Sequence, residues 1–174
     1  YVGLLSDNTL HIKEKAPHYF IITPGAGEHF ELTCRFDSAI NATPLPSFSD
    51  TRNNSEKLWQ AFWKYGGAVD FSGSTDPRAF EIERRVILSQ YLLRAQEAGP
   101  NPPQETGLTY NSWYGKPHME MHYWHSMQYA LWGRTDLLEK SMSWYFRAAD
   151  KGREIARRQG YDGIRWQKMT DNDG

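Results

Sequence analysis

Cys34 is the only cysteine in the 174 residues, so no disulfide can close within the chain and the redox compartment stays open. Charge of one sign is scarce as well. Twenty Lys and Arg stand against twenty-one Asp and Glu, which leaves no basic field to recruit a nucleic acid backbone or an anionic membrane. No apolar run approaches the roughly 20 residues that span a bilayer. Neither a nucleic acid nor a membrane is therefore expected as a partner. The chain also starts at Tyr1 without a methionine or a signal peptide and stops at Asp171-Asn-Asp-Gly174. Both ends read as cuts, and the remainder of the same protein is an expected partner.

Nine prolines, fourteen glycines and 14% aromatics describe a globular chain rich in defined turns, not a disordered one. The length suffices for one domain with a core or for two small pieces. Asn41-Ala-Thr43 and Asn53-Asn-Ser55 match the glycosylation acceptor pattern, the first followed directly by Pro44. The compartment is not determined by these short patterns, but they favour a secreted or periplasmic location.

The N-terminal residues have a strand pattern. His29 to Phe36 alternates polar and apolar, which places Phe30, Leu32, Cys34 and Phe36 on one face expected to be buried. Tyr19-Phe-Ile-Ile22 suits a strand, Leu10 and Ile12 suggest a shorter one, and Pro24-Gly-Ala-Gly27 is a turn that lacks the lysine-serine pair of a phosphate loop. Residues 38–53, with two prolines and no periodicity, read as a linker. Beyond it the pattern is helical. Asn54 or Ser55 can cap a helix that turns Leu58, Trp59, Phe62 and Trp63 to one side and ends at Gly66-Gly67. Asp76-Pro77 opens a second helix to about Gln96, with Phe80, Val86, Ile87 and Tyr91 inward and Glu81, Glu83, Arg84 and Arg85 on a solvated face. A third runs from about Pro117 to Gly133, and a fourth from a capping box of Asp136 and Glu139 to Gly160. The loops at 72–75 and 99–117 are the places where function can sit.

Asn111-Ser-Trp-Tyr-Gly-Lys-Pro-His-Met-Glu-Met-His-Tyr-Trp-His125 holds three of the six histidines and two of the seven tryptophans. Such a mixture is costly to bury unpaired, and its aromatics would be wasted in water, so a partly wet groove of the kind that binds sugars suits it. His118, His122 and His125 fall about one helical turn apart. A metal is not expected there, because Met119 stands where a zinc-protease motif needs glutamate and no cysteine or second acidic cluster completes a ligand set. No cofactor is expected either. Glu120, between Met119 and Met121, reads either as a desolvated carboxyl of raised pKa that grips or polarises a substrate, or as a buried ion pair with an arginine of another helix. Trp113, Tyr114 and Trp124 offer ring faces to sugar C–H groups, and Lys116, His118 and His122 offer hydrogen bonds. Arg165, Trp166 and Lys168 form a second polar-aromatic wall, or else Trp166 anchors its loop in the core.

Several of these stretches resemble the six-hairpin glycosidase superfamily: Leu58-Trp-Gln-Ala-Phe-Trp63, Gly67-Ala-Val-Asp-Phe71, Ser74-Thr-Asp-Pro-Arg78, Glu83 to Tyr91, Asn111 to His122 and Gly160-Tyr-Asp-Gly-Ile-Arg-Trp166. The chain is similar to glycoside hydrolase family 65-like proteins and more loosely to family 95 fucosidases. The resemblance implies a mainly α fold: residues 1–37 as the last strands of a β-sandwich, 38–53 as linker, and 54–174 as the first hairpins of an (α/α)6 catalytic barrel. It implies an inverting glycoside hydrolase acting on α-linked glycosides, with Trp113 to Glu120 along the sugar subsite and the general acid outside this chain. A phosphorylase of the same fold is an alternative, although the matching segment of those enzymes carries an aspartate and a glutamate together and this chain has Glu120 alone. A non-catalytic glycan-binding protein and a helical scaffold are the other readings. The expected ligand is an oligosaccharide or glycoside.

Overall fold

A computed structural model describes residues 1–174, which divide into two compact units, Tyr1–Lys64 and Tyr65–Gly174. The first unit contains β1 (Val2–Ser6), β2 (Leu10–Ala16), β3 (Tyr19–Pro24), β4 (Leu32–Phe36) and α1 (Phe48–Lys64). β1 pairs antiparallel with β4, from Val2 opposite Phe36 to Ser6 opposite Leu32, and β2 pairs with β3 in a hairpin turned at Pro17-His18. His18 has φ 64, and proline followed by a left-handed residue is the pattern of a type II turn. Between the two ladders, residues 25–31 lie opposite residues 7–9. Asp7 and Asn8 hold this surplus by accepting the Glu31 N–H at 2.9 Å and donating to the Ala26 carbonyl at 3.3 Å.

The alternation in 29–36 identified side chains that share a face, but the face is not buried. Cys34 is exposed, Phe36 is 79% exposed and Phe30 is 40% exposed. A two-stranded ribbon has no second layer to cover it. β1 was not read from the sequence, because Val-Gly-Leu-Leu-Ser does not alternate. The linker is ordered where Arg35 clamps it, donating to Asp37 Oδ2 and to the carbonyls of Asn41 and Thr43. α1 begins at Phe48, earlier than Asn54, because Ser47 caps it. The Ser47 hydroxyl donates to Asp50 and accepts the Asp50 N–H at 3.1 Å. Phe62 is buried between Trp59 and Trp63, in ring contact with both, whereas Leu58 is exposed.

The second unit holds α2 (Ala79–Glu97), α3 (Met119–Leu131), α4 (Thr135–Arg147) and α5 (Ala149–Arg158). Asp76 prepares α2 by accepting the Arg78 N–H at 2.8 Å. The buried positions of α2 are Ala79 and Gln90, while Phe80 and Tyr91 are exposed and Val86 and Ile87 half-buried. Glu81 pairs with Arg84 and Arg85 on the solvated face, and Glu83 turns back to accept the Phe71 N–H. The expected fourth helix is bent in two at the buried Ala148, with the backbone bonds continuing across the bend. The capping box of Asp136 and Glu139 does not form. The residue before α4 is Arg134, whose side chain lies inside and donates to Gln90 Oε1 at 3.0 Å.

α3 and α4 pack as one antiparallel pair, with His122 early in α3 facing Ser141 and Tyr145 late in α4. Trp144 is 1% exposed and lies under the C-terminal segment: its indole N–H donates to the Asn172 carbonyl at 2.6 Å, and Trp166 packs on it at 5.4 Å. Five helices and two short antiparallel strand pairs are too small and irregular an assembly for a six-hairpin barrel. The expected architecture, part of an (α/α)6 barrel behind the last strands of a sandwich, is thereby corrected. Helical periodicity counts helices but does not say how they pack.

Gly152 is a close approach between α5 and the C-terminal segment. A Cβ there would lie 2.6 Å from Ile164 Cγ2 and 2.9 Å from Trp166 Cζ3. Gly152→Ala should therefore destabilise the protein by about 1–3 kcal/mol. Urea unfolding followed by tryptophan fluorescence measures this, and an unchanged midpoint would mean that residues 164–166 do not pack on α5.

Candidate functional site

The site is organised by the entry into α3. Pro117-His118 runs as a short extended stretch between two others. His118 N–H donates to the Pro103 carbonyl at 3.1 Å on one side, and Met119 N–H donates to the Lys168 carbonyl at 2.8 Å on the other. His118 then caps the helix, its Nδ1 accepting the Met121 N–H at 3.2 Å. From there the 3.6-residue period sorts the side chains. His118, His122, His125, Ser126 and Tyr129 are buried, and Glu120, Tyr123 and Trp124 face out.

The histidines are therefore interior groups. His122 is 3% exposed, and both ring nitrogens are engaged: Nδ1 lies 3.0 Å from the Tyr145 hydroxyl and Nε2 2.9 Å from Ser141 Oγ. Since the Ser141 hydroxyl donates to the Leu138 carbonyl, His122 Nε2 donates to Ser141 and Nδ1 accepts from Tyr145. Burial, with His125 adding to it, pushes His122 below its ordinary range and keeps it neutral. No ring nitrogen of His122 is left for a ligand. No three His, Cys, Asp or Glu side chains converge in a way that would hold a metal.

Glu120 lies outside, contrary to a desolvated carboxyl of raised pKa. Its Oε2 is 2.8 Å from Lys168 Nζ, and both side chains are more than half exposed. The Lys168 ammonium holds the carboxyl below its ordinary range. The partner is thus a lysine from the C-terminal segment, not an arginine from another helix. Lys116 pairs similarly with Asp171 at 3.0 Å. Tyr123 and Trp124, three and four residues after Glu120, are 57% and 67% exposed and meet edge to face at 5.1 Å. Trp113 and Tyr114 sit on a left-handed turn, with φ 49 and 61 ahead of Gly115 at φ 66. Two consecutive aromatic residues in that region are strained. Both rings point into solvent. Trp166 takes the anchoring role against Trp144 and Tyr145, and the exposed Arg165 lies over the Tyr161 ring at 4.9 Å.

A second feature escaped the sequence reading. A cleft of about 440 Å³ lies along the 99–117 loop, with amides from Gln96, Asn101, Gln104, Asn111 and Asn172 in its lining beside prolines 100, 102, 103 and 117. Glu97 also lines it. Its side chain is 11% exposed, its Oε2 has no hydrogen-bond partner, and that oxygen lies 3.5 Å from the equally unpartnered Nδ1 of His125. Burial pushes the Glu97 carboxyl up to about 7. One signal was available: Glu97 is the last residue of α2, where the helix dipole disfavours negative charge. Comparison with protein-family models, curated proteins and solved structures yields no match for this chain. The glycosidase resemblance rests on its quoted residues alone.

The sign of the pH dependence follows from Glu97. Its ordinary value is 4.5 and its folded value about 7, so between these the folded chain holds a proton that the unfolded chain has lost. Stability should fall as pH rises through that window, by something on the order of 1–3 kcal/mol. His122 and His125, both lowered from 6.5 by burial, act oppositely, and their contribution is lost as pH falls below 6.5. Glu97→Gln should remove the first trend and leave the second. Thermal unfolding midpoints across pH 4.5 to 7 measure the difference, and superimposed profiles for the two proteins would exclude a raised Glu97.

Proposed function

We propose that the protein is carbohydrate-active and acts as an inverting hydrolase on α-linked glycosides. The observation that carries this reading is the Glu120–Lys168 ion pair on the open face of α3, with Tyr123 and Trp124 one turn along. Sugar rings present C–H faces to aromatics and hydroxyl edges to charged groups, and this face offers both kinds of surface side by side. The residue resemblance to glycoside hydrolase family 65-like proteins supports the same reading.

Within it, Glu120 has the role of a hydroxyl-gripping or polarising carboxylate. Lys168 keeps it ionised, so it has no proton to give to a leaving group. Inverting hydrolysis also needs a carboxylic acid on the leaving-group side of the bond. Glycan binding without catalysis is the second reading, favoured by this same ionised state of Glu120.

Screening against aryl α-glycosides and α-linked disaccharides, with and without phosphate, tests the proposal. Hydrolysis independent of phosphate is the expected result, and phosphate-dependent turnover would point to a phosphorylase. Glu120→Gln should weaken sugar affinity about tenfold, the equivalent of losing one charge-assisted hydrogen bond of about 1.4 kcal/mol. Affinity and turnover unchanged in that variant, with tryptophan fluorescence indifferent to sugar, would exclude this face as the binding site.

A further inference from the structure

The cleft along the 99–117 loop differs in chemistry from the Glu120 face. None of its lining residues is aromatic, and none is lysine, arginine or histidine. Its one ionisable side chain, Glu97, turns its oxygens elsewhere, one to His125 Nδ1 at 3.5 Å and the other beside Gly107. The wall thus lacks both the rings on which sugars stack and the cations that hold anions. What remains is a set of neutral amides between prolines 100, 102, 103 and 117. Proline has no N–H, so at those positions the loop backbone can only accept, and donors must come from side chains.

Neighbouring groups fix the polarity of these amides. The Arg147 guanidinium, which can only donate, holds Asn101 Oδ1 at 2.7 Å. Asn101 Nδ2 therefore donates to Asn172 Oδ1 at 3.4 Å, which leaves the Asn172 NH2 group as a donor for the cleft. Thr109 donates to Gln96 Oε1 at 2.6 Å and leaves the Gln96 NH2 group in the same role. Gln104 is set the opposite way. Its NH2 group donates to the Gly107 carbonyl, and its Oε1 is an acceptor without a partner. A Cβ at residue 115 would lie 3.4 Å from that oxygen and 3.1 Å from Asn111 Oδ1. Gly115 thus keeps open a space with two acceptors beside it.

We propose that this cleft binds a short, uncharged peptide segment in extended form through its backbone amides. The segment's carbonyls accept from Gln96 and Asn172, and one of its N–H groups donates between Gln104 and Asn111 over Gly115. An extended chain leaves its amides free of internal hydrogen bonds, and each offers one donor and one acceptor of fixed polarity. A sugar hydroxyl donates or accepts alike, so amides held in one polarity do not select it. The volume, about 440 Å³, falls within the roughly 300–1,000 Å³ of small-ligand sites and takes a few residues, not a folded domain. This site is independent of the Glu120 face and of the hydrolase reading.

Side-chain amides report such binding directly in proton–nitrogen-15 NMR, with the Gln96 and Asn172 signals assigned by triple-resonance spectra. Wild type is titrated to millimolar concentration with acetyl-trialanine N-methylamide and, separately, with maltose. The peptide should shift both signals saturably, and maltose should leave them in place. Gln96→Leu should weaken peptide binding about fivefold, the loss of one neutral hydrogen bond. If that variant fails to fold, Asn111→Ala, at an exposed position, should give a similar loss. No saturable shift with the peptide overturns the proposal. Maltose moving the same signals as far overturns it too and makes the cleft a sugar site. Peptide affinity unchanged in the variants places the contact elsewhere and also overturns it. Turnover of α-glycosides is read separately and bears only on the Glu120 face.

Discussion

The backbone pairing of Pro117-His118 with residues 103–104 and 168–170 is the constraint on which the second unit depends. It ties the end of a long loop, the start of α3 and the C-terminal segment into one extended patch. Once His118 is held there its ring caps α3 and sets the rotation of that helix. The rotation sends His122, His125 and Tyr129 inward and Glu120, Tyr123 and Trp124 outward. The same pairing brings Lys168 to Glu120 and Asp171 to Lys116, contacts across about fifty residues of chain.

The interior that results is unusually polar. Gln90, His118, His122, His125, Ser126, Arg134 and Ser141 are buried alongside Tyr129, Trp144, Ile155 and several alanines. Where such groups satisfy one another, as in the Tyr145–His122–Ser141–Leu138 series, they specify a single packing of α3 on α4. Where they do not, desolvation stays uncompensated and moves protons. Glu97 and His125 are the clearest instance, and Glu97 sits at the wall of the amide-lined cleft. The two carboxyl groups of interest thus differ by environment alone: the Lys168 ammonium holds Glu120 below the usual carboxylate range, and burial pushes Glu97 up to about 7.

Much of the local structure was legible. The helix stop at Gly99-Pro100, the start signal at Asp76-Pro77 and the extended character of 19–22 are chain-local effects of proline, glycine and side-chain branching, and the structure places α2 and β3 accordingly. Local sequence does not single out Ser47 over Asn54 as the cap of α1, because several residues in 47–55 can cap a helix. In the candidate site, the length of the 99–117 loop sets it apart in the sequence, and the folded loop lines the cleft. Glu97 was not legible, because its partner lies on another helix and its burial depends on a glycine ten residues on.

The sequence by itself determined the period of α3, and with it that Glu120 and Trp124 must share a face while His118, His122 and His125 share another, since 3.6 residues per turn is set by the backbone. It also determined that no disulfide and no one-sided charge shape this chain. Only the tertiary structure decided which of those faces met water. Solvation is a property of what packs nearby, and long-range pairings such as Pro117 with Gln104 and His118 with Met169 set that packing. For the same reason only the folded chain could tell an ionised carboxylate from a protonated one.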